Sequence, residues 1–155
     1  MSDPRWRHTG LVQAEYGCFW IEPHRIPPRL QQTFDGDLLF HQGDGRISVL
    51  TGIQYGRVRV TVELWPQAPT VSASEWEEHE SLTVDWPPEC EAIRLNVDNE
   101  GGMIGIPIAL GPTGVAVWCR NRDRAAELDQ SGAPAHDVDG VAEFLVAIHR
   151  GDYRG

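Results

Sequence analysis

Between residues 57 and 65 the chain reads Arg-Val-Arg-Val-Thr-Val-Glu-Leu-Trp. Val58, Val60, Val62 and Leu64 fall on one side of an extended backbone, and Arg57, Arg59, Thr61 and Glu63 on the other. This two-residue period, carried by β-branched side chains, predicts a strand with one buried face. Pro66 and Pro69 end it, since proline has no N–H to give to a sheet ladder.

The pattern recurs along the chain. Val12, Ala14, Tyr16, Cys18 and Trp20 alternate up to Pro23, predicting one strand. Segments 37–41 and 46–50 flank Gly43-Asp44-Gly45, a hairpin-type turn. Segment 76–84 starts charged and ends apolar, and Ile93, Leu95 and Val97 alternate before a polar turn over 98–102. Segment 103–109 holds Pro107, which points to an edge or a bulge and makes that edge the place to look for self-association. Gly111-Pro112-Thr113-Gly114 reads as a turn, and Val115, Val117 and Cys119 as the next inward face. Segment 138–149 fits either period, and Gly140 favours a strand from near Glu143 over a helix. Segments 22–32 and 121–137 read as long polar loops, and residues 1–9 as an N-terminal arm. The expected fold is all-β and mainly antiparallel. It is a single domain over 1–155, a sandwich or open barrel of eight or nine short strands.

Composition narrows the class. With 155 residues, an apolar fraction of 41% and six Trp, the chain is long and apolar enough for a real core. No apolar run approaches the roughly 18 residues needed to span a bilayer, and no signal peptide is recognisable, so a cytoplasmic protein is expected. Cys18, Cys90 and Cys119 lie far apart, each in an apolar stretch, and read as buried reduced thiols.

Charge adds the sharpest feature. All thirteen basic residues are Arg. Residues 1–74 balance at seven acids and seven Arg. Residues 75–100 carry nine acids against Arg94 alone, which is eight of the ten net negative charges. Within that stretch, Glu75-Trp76-Glu77-Glu78-His79-Glu80 sets an aromatic side chain among carboxylates. On a strand, Trp76, Glu78 and Glu80 share one face, with Glu75, Glu77 and His79 opposite. Like charges two residues apart repel, so local stability does not account for them, and a basic partner would relieve the repulsion. The plain alternative is a solvated stretch that keeps the domain soluble or blunts a sheet edge.

Other candidates are thinner. The six His show no HxH or HExxH spacing, and 136–140 lacks the ligands of a calcium loop, so neither a metal nor a cofactor is expected. No serine lies in a nucleophile elbow, and the glycines fit neither phosphate-binding motif. Arg120-Asn121-Arg122-Asp123-Arg124 is the one basic cluster; it has the chemistry to clamp an anion, and the simpler expectation is pairing with nearby acids. A net charge of −10 argues against direct nucleic-acid binding.

The stretches 56–63, Trp76-Glu77-Glu78 with the strand after it, 114–123, and Glu143-Phe144-Leu145-Val146 resemble a group of uncharacterised β-rich actinobacterial proteins over about residues 10–150. More distantly, the strand order is similar to the ComJ-type competence proteins, small cytosolic inhibitors of a DNA-entry nuclease. The resemblance implies an inhibitor or immunity-type role, with no inhibitory residue carried over. The expectation is therefore a non-enzymatic protein-binding domain that neutralises a basic nuclease or toxin, using Glu75, Trp76, Glu77, Glu78 and Glu80. The alternatives are a small-molecule site lined by Phe19, Trp20, Trp65 and Trp118, an enzyme with a dispersed active site, and a structural or self-associating domain.

Overall fold

The computed structural model describes residues 3–14, 16–23, 32–34, 38–42, 47–86, 93–96, 103–106 and 111–150. The chain is mostly β, with eleven strands among these residues rather than eight or nine. Five of them, β1 (Trp6–Ala14), β6 (Gly56–Trp65), β11 (Glu143–Arg150), β10 (Gly111–Arg120) and β7 (Glu78–Trp86), form one sheet in that spatial order. The other six, β3 (Gln32–Phe34), β4 (Leu39–Gln42), β5 (Ile47–Leu50), β2 (Cys18–Pro23), β8 (Ile93–Asn96) and β9 (Met103–Ile106), form a second sheet in that order. All pairings are antiparallel except β11 with β6, so the first sheet is mixed. The sheets do not close into a barrel.

Val58, Val60 and Val62 of β6 are buried as the alternation requires, beside Val12 and Ala14, Val115, Val117 and Cys119, and Phe144, Val146 and Ile148. Phe19, Ile21, Leu39, Ile47 and Val49 of the second sheet join the same cluster. Phe19 and Phe144 meet edge to face, with ring centroids 5.4 Å apart. One core is thus built by side chains of both sheets.

Four expectations need correction. The alternation from Val12 to Trp20 is two strands in different sheets, because the backbone turns at Tyr16 (φ 52°) and Gly17 (φ 79°). Residues 111–114 continue β10; Pro112 is tolerated where β10 pairs with β7 alone, since β11 joins only from Thr113. Residues 6–9 belong to β1, registered from Trp6↔Leu64 onward, rather than to a loose arm. The loop expected over 121–137 holds two helices, α1 (Arg122–Gln130) and α2 (Ala135–Val138). Asn121 opens α1 in the left-handed region (φ 62°), which asparagine tolerates better than most residues. Gly132 (φ 79°) closes it: its N–H bonds the Asp129 carbonyl and the Ala133 N–H bonds that of Leu128, the paired bonds of a Schellman stop. Ala125, Val138 and Ala142 then cap one end of the core. The C-terminal strand does begin at Glu143. Pro107, Cys90 and the turn over 43–45 lie outside the described residues.

The outer face of the first sheet is also apolar at its centre. Trp65, Ala116, Trp118, Leu145 and Ala147 form a second buried cluster, covered by Val71 and Trp76 from the segment that crosses the sheet between β6 and β7. Gly114 permits one close approach there, since a Cβ on it would come within 2.3 Å of the His149 ring. Truncating a fully buried ring tests the shared core. Phe144→Ala is expected to lower unfolding free energy by about 3–5 kcal/mol, and the exposed Thr83→Ala by less than about 0.5 kcal/mol, in urea titrations.

Candidate functional site

The acidic run 75–80 does not form one surface. Glu75 ends a single 3-10 turn (Ala73–Glu75), and Trp76 precedes β7 instead of lying within it. Trp76 packs on the outer face of the first sheet. Glu78 and Glu80, registered with the inward-facing Cys119 and Val117, sit on the opposite face. The expected sharing of one face by Trp76, Glu78 and Glu80 is therefore corrected, because the strand starts two residues after the tryptophan.

Most of these carboxylates have partners inside the molecule. Glu80 accepts the backbone N–H groups of Leu38 (2.6 Å) and Leu39 (3.3 Å), joining edge strand β7 to the second sheet. Glu78 pairs with Arg122 at 2.7 Å, and Arg122 also donates to the Leu50 carbonyl on β5. Glu77 accepts the N–H of Asn121 at the start of α1. Repulsion along the run is relieved by donors of this chain, so an external cation is not required to explain it. Of the four glutamates, Glu75 alone keeps an exposed carboxylate with no hydrogen bond or ion pair among the described residues, and it interacts with Arg120 through its charge.

The basic cluster supplies the partners of Glu77 and Glu78 and holds a further clip. Arg120 donates from Nε to Glu143 at 2.8 Å and from Nη1 to the Glu75 carbonyl, and its guanidinium lies 4.8 Å from the centre of the Trp76 ring. The hydrogen bond to Glu143 holds its pKa above the ordinary arginine value, so it stays charged. One side chain thus clips the 3-10 turn, the indole and β11 together.

Beneath this clip lies a half-open cleft of about 500 Å³ on the outer face of the first sheet. Its floor comes from β1, β6 and β11, and one wall from the crossing segment with Val71 and Trp76. Its charges balance: Arg7, Arg59 and Arg120 against Glu63, Glu75 and Glu143. Glu63 is buried, accepting from the Trp65 indole N–H at 3.1 Å and facing Arg7 at 3.4 Å. Thr9 and Thr61 share a hydroxyl hydrogen bond of 2.9 Å on the floor. Arg59 is exposed and has no acceptor for its guanidinium among the described residues. By their alternation alone, Arg57, Arg59, Thr61 and Glu63 read simply as the polar side of a strand. The available signal was a buried-type partner set, Trp65 beside Glu63, on that supposedly wet side.

The aromatic residues expected around a single cavity separate. Phe19 is in the shared core, while Trp65 and Trp118 belong to the outer cluster, Trp65 also lining the cleft and Trp118 carrying His79 stacked on it at 4.5 Å. Cys18 and Cys119 are buried. Among the described residues no helix is long and apolar enough to cross a membrane. Compared with known protein families, with characterised proteins and with solved structures, the chain finds no match in any of the three.

Two predictions follow from the site's chemistry. Glu80→Ala leaves two backbone donors without their carboxylate and is expected to cost about 1–3 kcal/mol, while Glu75→Ala stays within about 0.5 kcal/mol. Equal stabilities in urea titrations would refute the structural role given to Glu80. Burial first, and the neighbouring Glu78 charge second, push the Cys119 thiol up from 9.0 to about 12. The folded thiol titrates above the unfolded one, so its contribution is complete below pH 9.0 and disappears as the pH climbs through about 12. Iodoacetamide at about pH 8 should leave Cys119 unmodified in the folded protein and alkylate it in denaturant, as read by peptide mass spectrometry.

Proposed function

We propose that this chain is a binding domain of sandwich type that takes a segment of another protein into the outer-face cleft. The observation that carries the reading is the cleft itself, with Trp76 and Arg120 at its wall and Arg59 unsatisfied within it. Arginine and tryptophan are the residues that most often dominate binding energy at protein interfaces. A half-open groove with balanced charges also suits an extended segment better than an enclosed apolar ligand does.

The class of this proposal is the one expected from sequence, and the surface is not. With Glu77, Glu78 and Glu80 engaged internally, the net charge of −10 acts as a long-range field favouring a basic partner, such as a nuclease or toxin. The cleft supplies the close contact. An inhibitor or immunity-type role, which the resemblance to nuclease inhibitors also implies, is compatible with that division. The small-molecule alternative keeps one supporting observation, since about 500 Å³ is also a volume that small-molecule sites have.

Affinity capture from the native host, compared across variants, tests the reading. A partner retained by wild type and by Tyr16→Ser, but lost from Trp76→Ala and from the cleft-filling Thr61→Arg, is the expected result. A partner that survives both cleft substitutions rules the cleft out as its docking place.

A further inference from the structure

We propose that Arg59 is the anchor for a carboxylate carried by the bound segment, an inference that rests on the cleft being the docking place. On the outer face, Arg59 faces Glu143 across the parallel β6–β11 pair and Leu11 across the β1–β6 pair. Glu143 is the acid its position would ordinarily give it, and Arg120 already holds that carboxylate at 2.8 Å. Glu63, two residues further along the same strand face, receives both Trp65 and Arg7. Arg59 therefore stands in a cleft whose acids on either side have other donors.

Its setting makes it a specific group as well as an unsatisfied one. The backbone N–H of Arg59 is fixed to the Ala142 carbonyl at 3.0 Å. Its guanidinium lies alongside Gly140, where a Cβ would come within 3.5 Å of Nη2. The backbone is thereby fixed beside the cleft that Arg59 helps to line, and the planar fork at the end of its side chain matches a carboxylate bidentately. A singly charged carboxylate also fits better than a doubly charged phosphate, because Glu63, Glu75 and Glu143 line the same cleft and repel the second charge. The segment's body then runs past Thr61 towards the Trp76 indole. Its carboxylate belongs to an Asp or Glu side chain or to a chain terminus.

A random peptide library displayed with free C-termini, selected on the wild-type protein and counter-selected on Trp76→Ala, supplies the probes. Selected peptides are expected to share one acidic position or a required terminal carboxylate. Replacing that acid by its amide, or amidating the terminus, should weaken binding to wild type by about tenfold to a hundredfold in calorimetry. The same replacement should leave binding to Arg59→Met unchanged, and thermal melts of that variant should match wild type because the side chain is exposed. The side-chain and terminal arms identify which carboxylate is used. Cleft-dependent peptides whose amide forms bind as well as the acids would overturn the role of Arg59 and leave the cleft standing. If no selected peptide depends on Trp76, the cleft reading falls, and the anchor with it.

Discussion

β10 and β11 are buried on both faces, and that condition organises the rest of the molecule. From Val115 to Cys119 every residue is buried, odd positions against the shared core and even positions against the outer cluster. A sheet covered on one side only would leave Trp65, Trp118 and Leu145 against water, so something must lie over them. The chain supplies its own cover, the segment leaving β6 at Trp65 and re-entering the sheet at Glu78. Arg120 fastens that cover by holding the Glu75 carbonyl, the Trp76 face and the Glu143 carboxylate at once. The cover spans only part of the face. The cleft is the remainder, and for that reason it is lined by strand residues on its floor and by the cover on its wall.

The carboxylates of 77–80 follow from the same layout. β7 is an edge strand, and an edge exposes backbone groups that another chain could pair with. Glu78 and Glu80 turn towards the second sheet and take donors from Arg122, Leu38 and Leu39. Glu77 turns the other way and meets the first residue of the helical connection. Three acids within four residues are thus distributed over three structural joints. The repulsion that made the run look like a surface waiting for a cation is answered by neighbours that are far away in sequence.

What the sequence made legible were the elements that announce themselves by period. The alternation of 57–65 gave β6 and its buried face, and Gly140 was enough to favour a strand from Glu143. The failures have specific physical origins. Helix α1 reads Arg-Asp-Arg-Ala-Ala-Glu-Leu-Asp-Gln and buries only Ala125 fully, so it has no apolar stripe to find. The strand running into Tyr16 continues its alternation through a left-handed turn, and side-chain pattern carries no trace of a change of sheet. The acidic run was visible as composition, and its partners, more than 40 residues away on either side, were not. The cleft was least legible of all, because it draws on β1, β6, the crossing segment, β10 and β11.

Long-range and short-range electrostatics divide in this molecule: the chain as a whole is strongly acidic, while its outer-face cleft is locally neutral. Screening limits the field of exposed charges to about 10 Å at ordinary salt, so the net charge sets which partners approach and says little about what fits on contact. Inside the cleft, Arg7 with Glu63 and Arg120 with Glu143 already form ion pairs. Arg59 and Glu75 are the charged cleft residues outside those pairs, with Glu75 in the field of Arg120. On the proposed reading, a partner drawn in by the acidic exterior would also present a complement to Arg59. Such a combination would be more selective than attraction to a uniform acidic face, since a surface rich only in lysine or arginine would be steered to the molecule and yet leave Arg59 without a counterion.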